Sequence, residues 1–246
     1  MRIALFSDIH ANREAFEACL ADARQAGFDA IALLGDYVGY GADPEWSVDK
    51  LIELRQSGAV AVLGNHDAAV VENVPGFNPV AQLAIEWTRK QLSLAQQEFL
   101  KSLPLTVEQD DRLFVHASAD NPSAWHYVTN VEGAAQCLHA ASPMLTVCGH
   151  VHEPAIYSMS AAAKMTSFTP VVDVEIPLLP NRKWLVVLGS VGQPRDRNPA
   201  ASYAILDTDK AAVTYRRVAY DVDAAAKKIL AAGLPQRLAG RLFEGR

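Results

Sequence analysis

Cysteine is scarce in this chain: Cys19, Cys137 and Cys148 are the only three in 246 residues. That is too few, and too widely spaced, for a disulfide framework or a CxxC zinc site, so a reducing compartment is the simplest reading. Long apolar runs are also missing. None approaches the ~20 residues needed to cross a bilayer, and Asp8 and His10 interrupt the apolar start of the chain. No membrane span and no secretory leader are therefore expected, and the chain reads as cytoplasmic. Nor is there a basic stripe. The 22 basic residues face 28 acidic ones for a net charge of -6, and Arg13, Arg89, Lys90, Arg112 and Arg195 are dispersed, so no stable nucleic-acid complex is expected. Repeats, low-complexity tracts and Gly/Ser linkers are absent as well, which favours one domain over residues 1–246. With 50% hydrophobic and 20% charged residues the chain can bury a full core.

What is present is a series of short apolar runs closed by polar residues. Residues 3–6, 31–34, 60–63, 113–115 and 145–148 read as strands. Between the first two, Asn12 can cap a helix whose Phe16, Cys19, Leu20 and Ala23 follow three-four spacing, with Gly27 as its stop. Asp43-Pro44 opens another helix that ends at Gly58. The unit is βαβαβ, which implies parallel pairing and right-handed crossovers. Asn78-Pro79 and Ser93, the latter with Gln96 in capping-box position, start two helices within residues 79–103. From about residue 155 the texture turns β-rich around 184–188, 203–206 and 213–218, which predicts a second sheet supplied by this half. An Ala-rich helix from Val222 follows, and residues 161–170 read as an exposed connection.

The residues that close the strand runs are of ligand type: Asp8, His10, Asp36, Asn65, His116, His150 and His152, with His66 and Asp67 beside Asn65. Singly, each has an ordinary reading, as a turn residue, a helix cap or a core histidine. Jointly they do not, because five of the seven histidines fall in these segments, on the rim where layered α/β folds bind ligands. In an extended strand end, residues i and i+2 point the same way, so Asp8 and His10 are expected to grip one ion while Ile9 faces the core, and His150 and His152 likewise. Carboxylate, imidazole and amide ligands suit manganese, iron or zinc better than magnesium or calcium. Seven ligands exceed one ion's needs. Two ions fit if Asp36 bridges them at roughly 3.5–4 Å separation. Of the two remaining histidines, His139 lies in a predicted helix and reads as structural, while His126 in the loop 123–127 is a candidate to line the site.

Taken together, Asp8-Ile9-His10, Gly35-Asp36-Tyr37-Val38-Gly39-Tyr40-Gly41, Gly64-Asn65-His66-Asp67, His116 and Gly149-His150-Val151-His152 resemble the calcineurin-like metallophosphoesterases. The stretch Gly189-Ser190-Val191-Gly192-Gln193-Pro194-Arg195-Asp196 is similar to the small single-domain bacterial and archaeal branch. The resemblance implies a four-layer αββα sandwich with two mixed sheets and a dinuclear metal site at the carboxyl ends of strands. Carried over residue by residue, it gives the first metal Asp8, His10, Asp36 and His152, and the second Asp36, Asn65, His116 and His150. His66 would face the substrate as general acid or charge stabiliser, and Asp67 would hold its ring in the useful tautomer. Relatives often carry Asn before the Gly-Ser-Val-Gly stretch; this chain has Val187-Leu188, so a polar contact to substrate is expected to be missing.

These implications predict a phosphoric ester hydrolase with two divalent ions, manganese first and iron or zinc next, acting by in-line attack of a metal-bridging hydroxide on a phosphodiester or phosphomonoester. Arg195, Tyr40 and Asn12 are the expected substrate contacts, although Asn12 serves equally as a helix cap. The partner expected is a small phosphoester or nucleotide-like molecule. A dinucleotide polyphosphate hydrolase and a protein phosphatase are compatible alternatives. A nuclease is less so for want of basic surface, and a non-catalytic protein-binding scaffold is least so because no ligand position is lost. The loops 72–78 and 122–130 are expected to set the width of the site.

Overall fold

Alternation in the first strand, β1 (Arg2–Phe6), decides the layering. Ala4 and Phe6 pack into a core with Phe16, Cys19 and Leu20 of α1 (Arg13–Ala26), whereas Ile3 and Leu5 point into a second core. A strand buried on both faces needs a layer on each side. The structure, a computed structural model, describes residues 1–246 except Asn73, which falls within the loop 72–78.

Parallel to β1 run β2 (Ala30–Leu33) and β3 (Val60–Ala61), joined through α1 and α2 (Pro44–Gln56) as the βαβαβ reading requires. The same sheet continues antiparallel on the other side of β1, through β11 (Ala201–Asp207) and β12 (Ala212–Val218) to β9 (Glu175–Pro177). The second sheet has the order β4 (Thr106–Gln109), β5 (Arg112–Val115), β6 (Leu145–Cys148), β10 (Arg182–Val187), β7 (Ala155–Ser160), β8 (Met165–Phe168). Its centre, β5-β6-β10, is parallel and its flanks are antiparallel. Phe114, Val147 and Val186 of this sheet meet Ile3, Leu5 and Leu206 of the first in the core between them. The outer face of the second sheet packs through Val115, Cys148 and Leu185 on Ala134, Cys137 and Leu138 of α6 (Val131–Ala140). The fold is thus a four-layer αββα sandwich of two mixed sheets. All three cysteines are buried and free, and no helix among the described residues is long and apolar enough to cross a membrane.

Three expectations need correction. The later half of the chain does not supply a sheet of its own: β10 joins β6, but β11 pairs with β1, so both sheets are assembled from both halves. Strand periodicity reports which faces are buried and is silent on which distant strand is the neighbour. Residues 161–170 are not merely a connection, since they contain β8, paired antiparallel with β7 at the sheet's exposed edge. The run 60–63 is regular for two residues only, because Val62 and Leu63 donate to Leu33 and Pro104 carbonyls outside the ladder.

The helices start as the caps predict. The Asn12 side chain accepts from the Ala15 amide, Asn78 from Val80 and Ala81 at the head of α4 (Pro79–Gln91), and Ser93 and Gln96 form the capping box of α5 (Leu94–Lys101). After α3 (Asn65–Val71), these two helices pack beside α2. At the other end of the chain, α7 (Val222–Ala231) is followed by α8 (Gln236–Glu244), which the sequence reading missed. Gly240 sits in its middle and weakens the local signal by about 1 kcal/mol. Tertiary packing overrides that cost: Leu238, Ala239 and Leu242 close a core with Tyr40, Ala84 and Ile229, which seats Tyr40 firmly at the edge of the site.

Candidate metal centre

Every ligand-type residue leaves the carboxyl end of a parallel strand: Asp8 and His10 after β1, Asp36 after β2, Asn65 after β3, His116 after β5, and His150 and His152 after β6. Their aim does not come from strand alternation. Asp8, His10, Asp36, His150 and His152 are all left-handed, with φ of 56°, 49°, 55°, 68° and 66°. Each therefore costs strain that the surroundings must hold, and the backbone folds back on itself to point both members of each pair inward. Close backbone approach is part of the design. A Cβ on Gly64 would lie 2.2 Å from the Asp36 amide nitrogen, which is backbone and cannot rotate away. Gly64→Ala is expected to push out the Asp36 loop, costing about 1–3 kcal/mol of stability and lowering metal occupancy. Thermal melts with metal analysis check this, and an unchanged melting point and metal content would refute it.

The ring nitrogens show what kind of group the cluster could hold. Nδ1 of His10 faces the Val38 carbonyl at 3.1 Å and Nδ1 of His152 faces the Gln193 carbonyl at 2.6 Å, so both must donate. Their Nε2 atoms are thereby lone-pair acceptors, yet they face each other at 3.1 Å. Asp8 Oδ1 stands 3.2 Å from His152 Nε2 and is buried with no hydrogen-bond partner among the described residues. Across the site the pattern repeats. His116 donates from Nδ1 to the Leu34 carbonyl at 2.6 Å, and His150 from Nε2 to the Trp125 carbonyl at 3.0 Å. His116 Nε2 then confronts His150 Nδ1 at 3.1 Å and Asn65 Oδ1 at 3.0 Å. Asp36 Oδ2 lies between the groups, 3.7 Å from His10 Nε2 and 3.4 Å from His116 Nε2. The ligand atoms of Asp8, His10, Asp36 and His152 all fall within 4.8 Å of one another, as do those of Asp36, His116 and His150. Acceptors packed against acceptors repel unless a cation sits among them, so the donor set fits two cation positions that share Asp36.

Protonation follows the same logic. Burial opposes ionisation of Asp8 and Asp36, but His152 beside the first and His116 beside the second outweigh it, and both carboxyls are held well below the usual range. Burial pushes His10 down, and His150 down to about 3, leaving them neutral. His116 differs: burial lowers it, but the Asp36 charge prevails and raises it to about 9. In the absence of cations a single proton on His116 therefore bridges acceptors that a metal would otherwise satisfy.

Around this centre the other expected residues divide. His66 is buried at the head of α3, its amide donating to Asp36 Oδ1 at 2.8 Å and its Nδ1 without a partner among the described residues. Its ring packs against His10 and Tyr40, with centroids 4.9 and 4.4 Å away. Burial, helped by the Arg195 charge, takes it down to about 4 against the opposing pull of Asp36. Asp67 does not orient that ring. Its carboxylate accepts four backbone N–H groups, of Asp36 (2.8 Å), Tyr37 (2.9 Å), Val38 (3.2 Å) and Gly64 (3.0 Å), so it braces the loop that carries Asp36. Burial, then the Asp36 charge, push it up to about 7, but four donors and no acceptor leave the carboxylate as the form that satisfies the loop. Arg195 reaches the rim, its Cζ 5.9 Å from the Tyr40 ring centroid. Asn12 turns its polar atoms to the fold: its Oδ1 caps α1 and its Nδ2 donates to the Gly192 carbonyl at 2.9 Å. His126 is exposed and lines a separate surface cavity, and His139 is exposed on α6. Val187 and Leu188, where relatives often carry Asn, are buried in the cores on either side of the second sheet.

Three residues that the sequence reading did not single out complete the rim: Phe77, Trp125 and Tyr127, from the two loops expected to set its width. Their signal was present only as aromatics placed in otherwise polar loops.

The chain is similar to known proteins over its whole length. The family model described as the calcineurin-like phosphoesterase superfamily domain matches residues 1–211. An uncharacterised protein of Methanocaldococcus jannaschii is 36% identical over 250 residues, covering 99% of this chain and 98% of the relative. The crystal structure of a metallophosphoesterase from Sphaerobacter thermophilus is 36% identical, with a TM-score of 0.88 over 100% of this chain and 99% of that one. A hypothetical protein from Pyrococcus horikoshii shares the fold at 17% identity, with a TM-score of 0.80 over 100% and 98% of the two chains.

Proposed function

We propose, from the premise that the chain belongs to the calcineurin-like phosphoesterase superfamily and is a metal-dependent phosphoesterase, that it holds two divalent ions and hydrolyses a small phosphodiester or activated phosphomonoester. The observation that carries the reading is the pair of buried acceptor clusters sharing Asp36. Manganese is the first choice of metal, with iron or zinc next, because the clusters mix imidazole with carboxylate. When bound, the two ions supply an activated water and neutralise charge on the phosphoryl group.

The remaining work falls to the chain. The carbonyls of Val38, Gln193, Leu34 and Trp125 lock each imidazole in the tautomer that aims its lone pair inward. Asp67 holds the Asp36 loop in its left-handed turn through four backbone bonds. His66 stands at the rim as a neutral imidazole, placed to hydrogen-bond the phosphoryl or leaving oxygen as charge develops there. Arg195, lying over Tyr40, is the cation available to an outer phosphate oxygen.

The test is hydrolysis of bis-p-nitrophenyl phosphate by manganese-loaded protein across a salt series. Turnover that varies weakly with salt is expected, because a compact ester engages the buried centre and not a surface field. Inactivity with manganese, iron and zinc alike would refute the reading. Steeply salt-dependent binding and processive degradation of duplex DNA would replace it with a nuclease.

A further inference from the structure

The cavity beside the centre has walls that phosphate chemistry does not require. It encloses about 190 Å³ and opens between two aromatic pairs. On one side Tyr40 and Phe77 pack on His66, with ring centroids 4.4 and 4.9 Å away. On the other, Tyr127 stacks on His150 at 3.9 Å with 24° between planes, and Trp125 meets His116 edge-on at 5.9 Å. Phosphoryl oxygens call for cations and donors; four rings in the same mouth serve something flat and apolar.

Two further features concern how these rings are held. Tyr127 is 56% exposed, although its neighbour Val128 is buried in the core. Trp125 is left-handed, with φ of 56°, a conformation that strains a bulky residue. The strain is maintained by the bond from His150 to the Trp125 carbonyl, so the metal-side histidine and the aromatic loop fix each other. Strain concentrated at the mouth of a site is a sign of preorganisation. The rings also border the ligand-type residues directly, Tyr40 on His10 with centroids 4.6 Å apart, Trp125 on His116 and Tyr127 on His150. A flat group joined to a phosphate on the centre would lie against these rings. Asn78, whose Oδ1 caps α4, keeps its amide N–H2 for a polar base edge on the same wall.

We infer that this cleft binds the planar base of a nucleotide whose phosphate lies on the metal centre. The inference rests on the phosphoesterase reading above and adds the class of substrate. Stacking on aromatic faces tolerates any base, so broad base specificity is part of it.

Binding separates the inference from that reading. Manganese-loaded protein is titrated calorimetrically with the methylene phosphonate analogue of AMP and with that of ribose 5-phosphate, which differ only in the base and whose carbon–phosphorus bond does not hydrolyse. The base-bearing analogue should bind at least tenfold tighter, Tyr127→Ala should narrow the gap to under threefold, and Tyr127→Phe should keep it. Equal affinities in the unmodified protein, or a gap that survives Tyr127→Ala combined with Phe77→Ala, would overturn the inference. If equal affinities accompany active hydrolysis of bis-p-nitrophenyl phosphate, only the base site falls; if neither analogue binds and no ester is hydrolysed, both readings fall.

Discussion

Asp36→Ala protein is expected to lose metal and turnover together. Asp36 is the one side chain common to both acceptor clusters, 3.7 Å from His10 Nε2 on one side and 3.4 Å from His116 Nε2 on the other. On the proposed two-ion reading, removing it would take away a shared ligand and the negative charge that offsets repulsion between two neighbouring cations. The unmodified protein, reloaded with manganese, should approach two ions per chain by elemental analysis, and the variant should fall below one. Turnover should drop at least a hundredfold, since loss of a residue one shell further out already costs about 10–100-fold in such centres. The sign of the pH dependence follows from His116. Its pKa of about 9 without metal, set by Asp36 against the opposing effect of burial, means that near pH 7 a proton must leave before metal can occupy Nε2. Affinity should therefore rise with pH up to about 9, with close to one proton released per chain at pH 7 from this group. Calorimetry in buffers of different ionisation enthalpy measures the release. A variant that keeps both ions would remove Asp36 from the centre, and pH-independent affinity would contradict the assignment of His116.

The residues of this centre were legible because each follows its strand by only a few positions, so strand ends marked by apolar runs located them without knowledge of tertiary structure. What brought them into one place, the juxtaposition of β1 and β6 from different sheets, lay beyond local pattern. The way they aim was misjudged. Extended geometry predicts a common direction for Asp8 and His10, but both are left-handed, and nothing in an Asp-Ile-His triplet announces that before its neighbours are in place. Asp67 shows the same limit at longer range. Its partners at residues 36–38 are about 30 positions away, so its role as a brace depended on which loop folds over α3. Asn12 reads equally as cap and as substrate contact in the sequence; the structure shows the cap, with a second tie to Gly192 that depends on tertiary packing. The pairing of β11 with β1 was invisible for a related reason, since both strands are apolar on two faces and offer many equivalent neighbours.

His66→Ala should separate turnover from metal binding, in contrast to the bridging carboxylate. In the structure His66 belongs to neither acceptor cluster: its Nδ1 lacks a partner among the described residues, and its ring lies on the cleft side against Tyr40 and Phe77. A group so placed can act on the phosphoryl or leaving oxygen, and a positioned proton donor is worth about 10²–10⁴-fold. At 1.36 kcal/mol per decade that is about 2.7–5.4 kcal/mol of transition-state stabilisation. Because the contact strengthens as charge develops, kcat and kcat/KM should fall by similar factors while KM changes little. Removing a buried imidazole also opens a cavity beside Phe77, so the melting temperature should drop somewhat. His66→Gln fills that space and offers an N–H donor, so it separates the two effects: stability near that of the unmodified protein with turnover still depressed points to the chemistry of the imidazole. Metal content should stay at the unmodified value in both variants. Release of an ion on His66→Ala would place the residue within the centre, and full turnover with either variant would leave it a packing group at the edge of the cleft.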